Sequence, residues 1–210
     1  MGILRSNRVW ASDVRYANDT SELVYADQVV KDELDCLLRH RSISLVVRRF
    51  LSDYSSRGNI FSGRYQVFAF CVCEAFDRLS QWREYAAKGA GYAIGFASDE
   101  MTQVRLVDDP PEGGVGHRTF QKVIYEPGAQ HDLVRRILVG CATVAERYPD
   151  QSGRVWLRLN MLLSHFRLFI KDFGFHEENE WRAIAAIHED KARQSSAGWI
   201  RKVKRFRTSN

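Results

Sequence analysis

The residues best suited to chemistry lie near the carboxyl end, where Glu178-Asn179-Glu180-Trp181-Arg182 leads into an alternating run from Trp181 to Ile187. Such alternation predicts a β-strand, so two carboxylates and a guanidinium stand at its mouth on a backbone fixed by neighbouring strands. A carboxylate beside an arginine and aromatic rings can hydrogen-bond a ribose diol, act as a general base or stabilise an oxocarbenium-like centre. Glu180 immediately precedes the run and is the first candidate for that work. Extended backbone would put Glu178 on the same side two residues earlier, and Arg182 supplies the cation. The competing reading is structural: Glu177, Glu178 and Glu180 solvate a strand entrance and pair with Arg182 or Lys171.

A second unusual stretch lies far upstream. Cys71-Val72-Cys73-Glu74 is followed by Trp82, Tyr85 and Gly91-Tyr92-Ala93-Ile94-Gly95-Phe96, which reads as strand, helix, strand. Trp82 and Tyr85 stand three apart on the helix and cover adjacent surface, either as core or as one wall of a pocket for a flat ring. The glycines that follow allow close approach of backbone to a ligand. Asn18, Asp19 and Glu22 form a polar cluster after the first strand; capping accounts for Asp19, and Asn18 is kept as a ligand candidate.

Several chemistries are disfavoured. Gly89-Ala90-Gly91 ends a helix instead of starting one, and the chain has no Gly-x-Gly-x-x-Gly, so a classical dinucleotide fold is not expected. No Gly-x-Ser-x-Gly elbow occurs. His117, His131, His165, His176 and His188 do not fall at metal-ligand spacings, and Cys71-x-Cys73 lacks a second pair, so no metal site is expected. Cys36, Cys71, Cys73 and Cys141 sit within apolar-periodic segments and read as buried, reduced thiols.

The formal charge of +5 is uneven, because residues 191–210 carry Lys191, Arg193, Arg201, Lys202, Lys204, Arg205 and Arg207 with no acid. Arg201, Lys202, Lys204, Arg205 and Arg207, interleaved with Phe206 and near Trp199, suit nucleic acid: cations for phosphates and rings for bases. The alternative is a solvated edge strand whose lysines prevent further pairing.

These features need elements to hold them. Arg8 to Ser12 reads as a short strand, and Asn18 to Ser21 as a turn before a helix with Leu23, Ala26, Val30, Leu34, Leu37 and Leu38 on one face. A second helix carries Ile43, Val47, Phe50, Leu51 and Tyr54. Tyr65 to Cys73 is apolar on both faces and is expected inside a sheet. Asp77 is expected to cap the helix of Trp82, and a strand is expected from Tyr92 to Ala97. After the loop Asp108 to Gly114 come a strand from Thr119 to Tyr125 and two helices, marked by Leu133, Ile137, Cys141 and Val144 and by Val155, Leu159, Leu162, Phe166 and Phe169. Strands at Trp181 to Ile187 and Trp199 to Arg207 close the chain. Clustered helices without regular alternation predict an α+β class: a single mixed, mostly antiparallel sheet with helices packed on it. The 210 residues are expected to form one domain, ending in the basic segment 191–210. No apolar stretch reaches the roughly 20 residues needed to span a bilayer, and no secretory signal is evident, so a cytoplasmic location is expected.

The segments Val9 to Leu23, Asp77 to Tyr85, Gly91 to Phe96 and Lys122 to Tyr125, with Phe175 and Glu178 to Arg182, together resemble the bacterial domain of unknown function family numbered 2971. Members of that family open in a way similar to ADP-ribosyltransferase-like folds, which hold NAD with a histidine or arginine and position the ribose with an acid on a later strand. The resemblance implies Arg5 or Arg8 in the first role and Glu180 or Glu178 in the second. It sets Cys73 where the family commonly has serine. It further implies Trp82 and Tyr85 stacking on the cofactor, and Glu178 and Arg182 orienting acceptor and phosphate.

The expected protein is therefore an intracellular bacterial effector of toxin or anti-phage type, with an NAD-binding cleft and a nucleic-acid or protein acceptor. Two other expectations stand beside it. One is a non-catalytic nucleic-acid-binding module acting through the basic segment; the other is a protein-interaction domain, self-associating or completed by a partner.

Overall fold

The computed structural model describes residues 8–14, 21–57, 65–75, 77–86, 91–96, 105–106, 119–188 and 201–204. Its elements, in chain order, are β1 (Arg8–Asp13), α1 (Ser21–Arg39), α2 (Leu45–Arg57), β2 (Tyr65–Cys73), α3 (Leu79–Tyr85), β3 (Arg105–Leu106) and β4 (Thr119–Lys122). Then follow α4 (Pro127–Arg147), a 3-10 turn (Pro149–Gln151), α5 (Ser152–Arg167), a second 3-10 stretch (Phe173–Glu178), β5 (Glu180–His188) and β6 (Arg201–Lys204). The class is α+β, as expected from the pattern. The elements fall into two compact units built from alternating stretches of chain.

One unit gathers Met1–Thr20, Gly63–Val123 and Gly174–Asn210 and contains the sheet. Its strands run in the order β3-β6-β1-β2-β5-β4, and all these neighbours pair antiparallel. β2 lies between β1 and β5, where a strand apolar on both faces belongs. Phe68 at its middle is 3% exposed. β6 corrects an expectation: it is bonded to β1 on one side and β3 on the other, so its lysines guard no sheet edge. Nor does the expected strand from Tyr92 form: residues 91–96 are irregular, and Tyr92 is 97% exposed. What those residues supply instead is close packing. A Cβ on Gly91 would lie 2.8 Å from the Cα of Ala86, so only glycine fits there.

β4 is shorter than the apolar run predicts. Its ladder with β5 ends at Lys122, and after Val123 donates to the Glu180 carbonyl at 2.9 Å, Ile124 makes a parallel bridge with Ile170. Asp77 does not cap α3. The cap position is Arg78, without a side-chain cap bond, and the Asp77 carboxylate instead accepts from the Trp82 indole at 2.9 Å.

The other unit gathers Ser21–Ser62 and Ile124–Phe173 and is helical. α4 packs with α1, α2 and α5 around Ala26, Val30, Leu34, Leu51, Leu138, Ala142, Leu159 and Leu163. The expected faces of α1 and α2 are found, with Ala26, Val30, Leu34 and Leu37 buried on the first and Phe50, Leu51 and Tyr54 on the second. On α4 the expected face is found in part and is rotated: Cys141 is buried and Leu133 and Ile137 pack against the core, but Val134 and Leu138 are fully buried and Val144 is 45% exposed. Adjacent apolar pairs, Leu133-Val134 and Ile137-Leu138, fit a 3.6-residue period in two phases, and packing selects one.

A buried glutamine ties this unit's start and end together. Gln130, fully buried in the first turns of α4, donates both amide hydrogens, to the carbonyls of Ile124 at 2.6 Å and Lys171 at 2.8 Å. Its oxygen accepts from the Tyr25 hydroxyl at 2.7 Å. Burial pushes the Tyr25 pKa up, which keeps that donor protonated. Replacing Gln130 with alanine removes three hydrogen bonds from a buried site, so Gln130→Ala is expected to lower stability by on the order of 3 kcal/mol in urea denaturation.

Candidate functional site

The ladder between β2 and β5 brings the two singled-out stretches together. Tyr65 faces His188 at one end of it and Cys73 faces Glu180 at the other, with Cys71 opposite Arg182. Because side chains alternate along a strand, Cys71, Cys73, Glu180 and Arg182 share one face of the sheet. The register Ser12 to Ala69 extends that face to β1, where positions 8, 10 and 12 belong to it. Arg8 is therefore a position on the same face. It also lies at the same sheet end, since β1 and β5 begin where β2 finishes.

The entry into β5 is shaped by Asn179. It adopts φ 45°, a left-handed conformation that asparagine tolerates better than most residues. Its amide donates to the His176 carbonyl at 3.2 Å, and its carbonyl accepts from the Glu74 amide at 3.0 Å. The corner separates Glu178, which ends the 3-10 stretch, from Glu180, which starts the strand. Period-two spacing consequently does not relate the two acids. The assumption that Glu178 sits on the same side through extended backbone is corrected.

Glu180 is 5% exposed and Arg182 8%. Arg182 grips the carboxylate side-on, Nε donating to Oε1 and Nη2 to Oε2, each at 2.9 Å. The competing expectation that the acid pairs with Arg182 is thus met for Glu180, while Lys171 pairs with Glu22 at 2.8 Å. The fork geometry fixes the carboxylate in orientation. Such a group is an oriented carboxylate at the start of a strand held in the β2-β5 ladder.

Helix α3 is tied to this end of the sheet by a thiol. The Cys73 Sγ donates to Gln81 Oε1 at 3.2 Å. One residue on, Trp82 is half-buried with its indole N–H held by Asp77, and Tyr85 is 62% exposed. Both rings belong to the helix that Cys73 anchors. Asn18, Arg205 and Arg207 lie outside the described residues; Arg201, Lys202 and Lys204 are backbone positions of β6.

The reverse face holds residues that sequence reasoning did not select. Phe120 and Trp181 stack with centroids 5.2 Å apart. Glu74 pairs with Lys122 and accepts from the Trp181 indole at 3.4 Å. Lys122 and then Trp181 lower the Glu74 pKa, so this pair supports folding at pH above the unfolded carboxylate range and is lost as pH falls through the depressed folded value. Alternation in Phe120-Gln121-Lys122 was the signal available for this group. No group of histidine, cysteine and acid able to hold a metal occurs among the described residues.

The thiols differ from expectation. Cys36, Cys71 and Cys73 are exposed, and Cys141 alone is buried. An apolar stretch containing cysteine does not decide which side of the element meets solvent.

The model of the family described as protein of unknown function (DUF2971) matches residues 81–183. Over those residues the chain is similar to the DUF2971 family. The match takes in Gln81 to Tyr85 of α3, the Lys122 strand end and the Glu178 to Arg182 entry. No curated protein and no solved structure matches the chain.

Two outcomes follow from this geometry. Arg182→Ala removes the side-on pair from the buried Glu180 carboxylate and is expected to cost about 3–5 kcal/mol in chemical denaturation. With a thiol reagent under native conditions, Cys36, Cys71 and Cys73 react, whereas Cys141, whose burial raises its pKa, reacts only on unfolding; mass mapping of labelled peptides checks this.

Proposed function

We propose that the Glu180 end of the sheet is an NAD-binding centre of ADP-ribosyltransferase type. The observation that carries this reading is the oriented Glu180 carboxylate on a strand entrance, sharing one sheet face and one sheet end with the Arg8 position. A basic position for a pyrophosphate and an oriented acid for a ribose are the two requirements of such a site. Arg182 acts here as a positioning residue for Glu180. That differs from a direct grip on phosphate, because its fork is turned to the carboxylate.

In the proposed reaction the bond between nicotinamide nitrogen and ribose C1 breaks, the electron pair leaving with nicotinamide. Positive charge developing on the ribose is stabilised by Glu180, and a nucleophile on the acceptor bonds to C1 and loses its proton. The carboxylate is useful because it is already oriented and desolvated before charge develops. Trp82, half-buried and clamped through its indole N–H, offers a flat surface near this sheet end, with Tyr85 beside it.

Glu180→Gln preserves size and removes the charge. The variant is expected to keep its fold by circular dichroism and to lose NAD cleavage by at least about a hundredfold, since a single oriented electrostatic group is worth that much. Folded Glu180→Gln protein that releases nicotinamide at the unaltered rate removes the proposal.

A further inference from the structure

The basic residues near the carboxyl end have no part in the centre on β5, and strand register gives them an arrangement that composition alone does not. Lys204 stands opposite Arg8 on one side and Arg105 on the other, making one cross-strand row of three basic positions. Two residues along, Lys202 stands opposite Trp10. Positions two apart on a strand share a face, so Arg8, Arg105, Lys202, Lys204 and Trp10 fall on one side. The other side collects Val9, Ala11, Val203 and Leu106, together with Arg201. At Ser12 this side of β1 is exposed, while Ala11 on the other side is 3% exposed. Positions 8 and 10 have the parity of Ser12.

Like charges directly opposite one another weaken a sheet. The row Arg105-Lys204-Arg8 places three together, with no acid in the described parts of β3 or β6, and a polyanion relieves that repulsion. An aromatic position set among cations adds what a phosphate-tracking groove needs in order to hold bases. A duplex is read by an element inserted into a groove, and a sheet face presents none, whereas unpaired bases can lie flat on one.

We propose that the β3-β6-β1 face binds single-stranded nucleic acid, with Arg8, Arg105, Lys202 and Lys204 taking phosphates and Trp10 taking a base. The surface shares the Arg8 position with the proposed NAD centre, and its other positions have no part in that centre. If both hold, it supplies the acceptor strand to the Glu180 end of the same face.

The test is fluorescence anisotropy of the full chain with labelled oligo-thymidine and oligo-uridine over a salt series. Combined Lys202→Gln and Lys204→Gln is expected to weaken binding about tenfold or more and to reduce the slope of log affinity against log salt by roughly 1.4, about 0.7 for each phosphate no longer neutralised. Trp10→Ala is expected to weaken binding about tenfold with the slope unchanged. Trp10→Phe retains a ring and should retain binding, which covers the case of a misfolded alanine variant. Arg201→Gln, on the opposite face and outside this surface, should leave affinity and slope as they were. Equal losses from Arg201→Gln and Lys202→Gln would instead indicate a basic tail acting without sheet geometry and would overturn the proposal. So would salt-independent binding, equal affinity for duplex, or binding to anionic phosphatidylserine vesicles without binding to either oligonucleotide.

Discussion

The antiparallel ladder between β2 and β5 is the constraint on which the candidate centre depends. It joins stretches more than a hundred residues apart and sets every cross-strand neighbour from Tyr65 and His188 to Cys73 and Glu180. A slip by one residue would send Glu180 and Arg182 to the opposite face, because side-chain period in a strand is two. What resists the slip is that β1 and β5 are bonded to both edges of β2, so that two ladders must shift together. The corner at Asn179 then fixes where β5 begins, and so which residue receives the first position of the strand.

Burying an ion pair on such a strand is an unusual use of interior space. Two charges withdrawn from water lose solvation that mutual attraction offsets only with good geometry. The side-on fork between Arg182 and Glu180 provides that geometry, and its two members are separated by one residue on the same face. The arrangement resembles the solution in the helical unit, where Glu33, 4% exposed, receives Arg135 through Nε at 3.0 Å and Nη2 at 3.2 Å and meets His131 Nδ1 at 3.0 Å. In both units a buried carboxylate is answered by an arginine fork. The two differ in access. Arg135 and His131 are partly solvated, while Arg182 is buried with its partner.

One face of the sheet carries the thiols of Cys71 and Cys73, the Glu180-Arg182 pair and positions 8, 105, 202 and 204, beside Ala69 and Ile184; the other carries Phe68, Phe70, Val72, Ala183, Ala185 and Trp181, beside position 201 and the Glu74-Lys122 pair. Phe70 extends the apolar side through an edge-to-face contact with Phe96 at 5.9 Å. A central strand rich in aromatic and β-branched residues supports this division, since it packs well whichever face its neighbours cover.

Local pattern determined much of this protein. A continuous apolar run located β2, period-two spacing β5 and period-3.6 spacing the four long helices, and the juxtaposition of acids with arginine marked the mouth of β5 as the place for chemistry. Other features needed tertiary structure. The rotation of α4 was open because two apolar phases coexist in its sequence, and only packing against Ala26, Leu51 and Leu159 chooses between them. Residues 91–96 have strand-forming composition, yet composition cannot provide a pairing partner. Exposure of Cys36, Cys71 and Cys73 depends on which neighbours cover a face, and the turning of Arg182 onto Glu180 depends on side-chain reach across one pleat. Spacing along a chain fixes which residues share a face. Which face is covered, and what each polar group there is bonded to, is decided by contacts between residues distant in sequence.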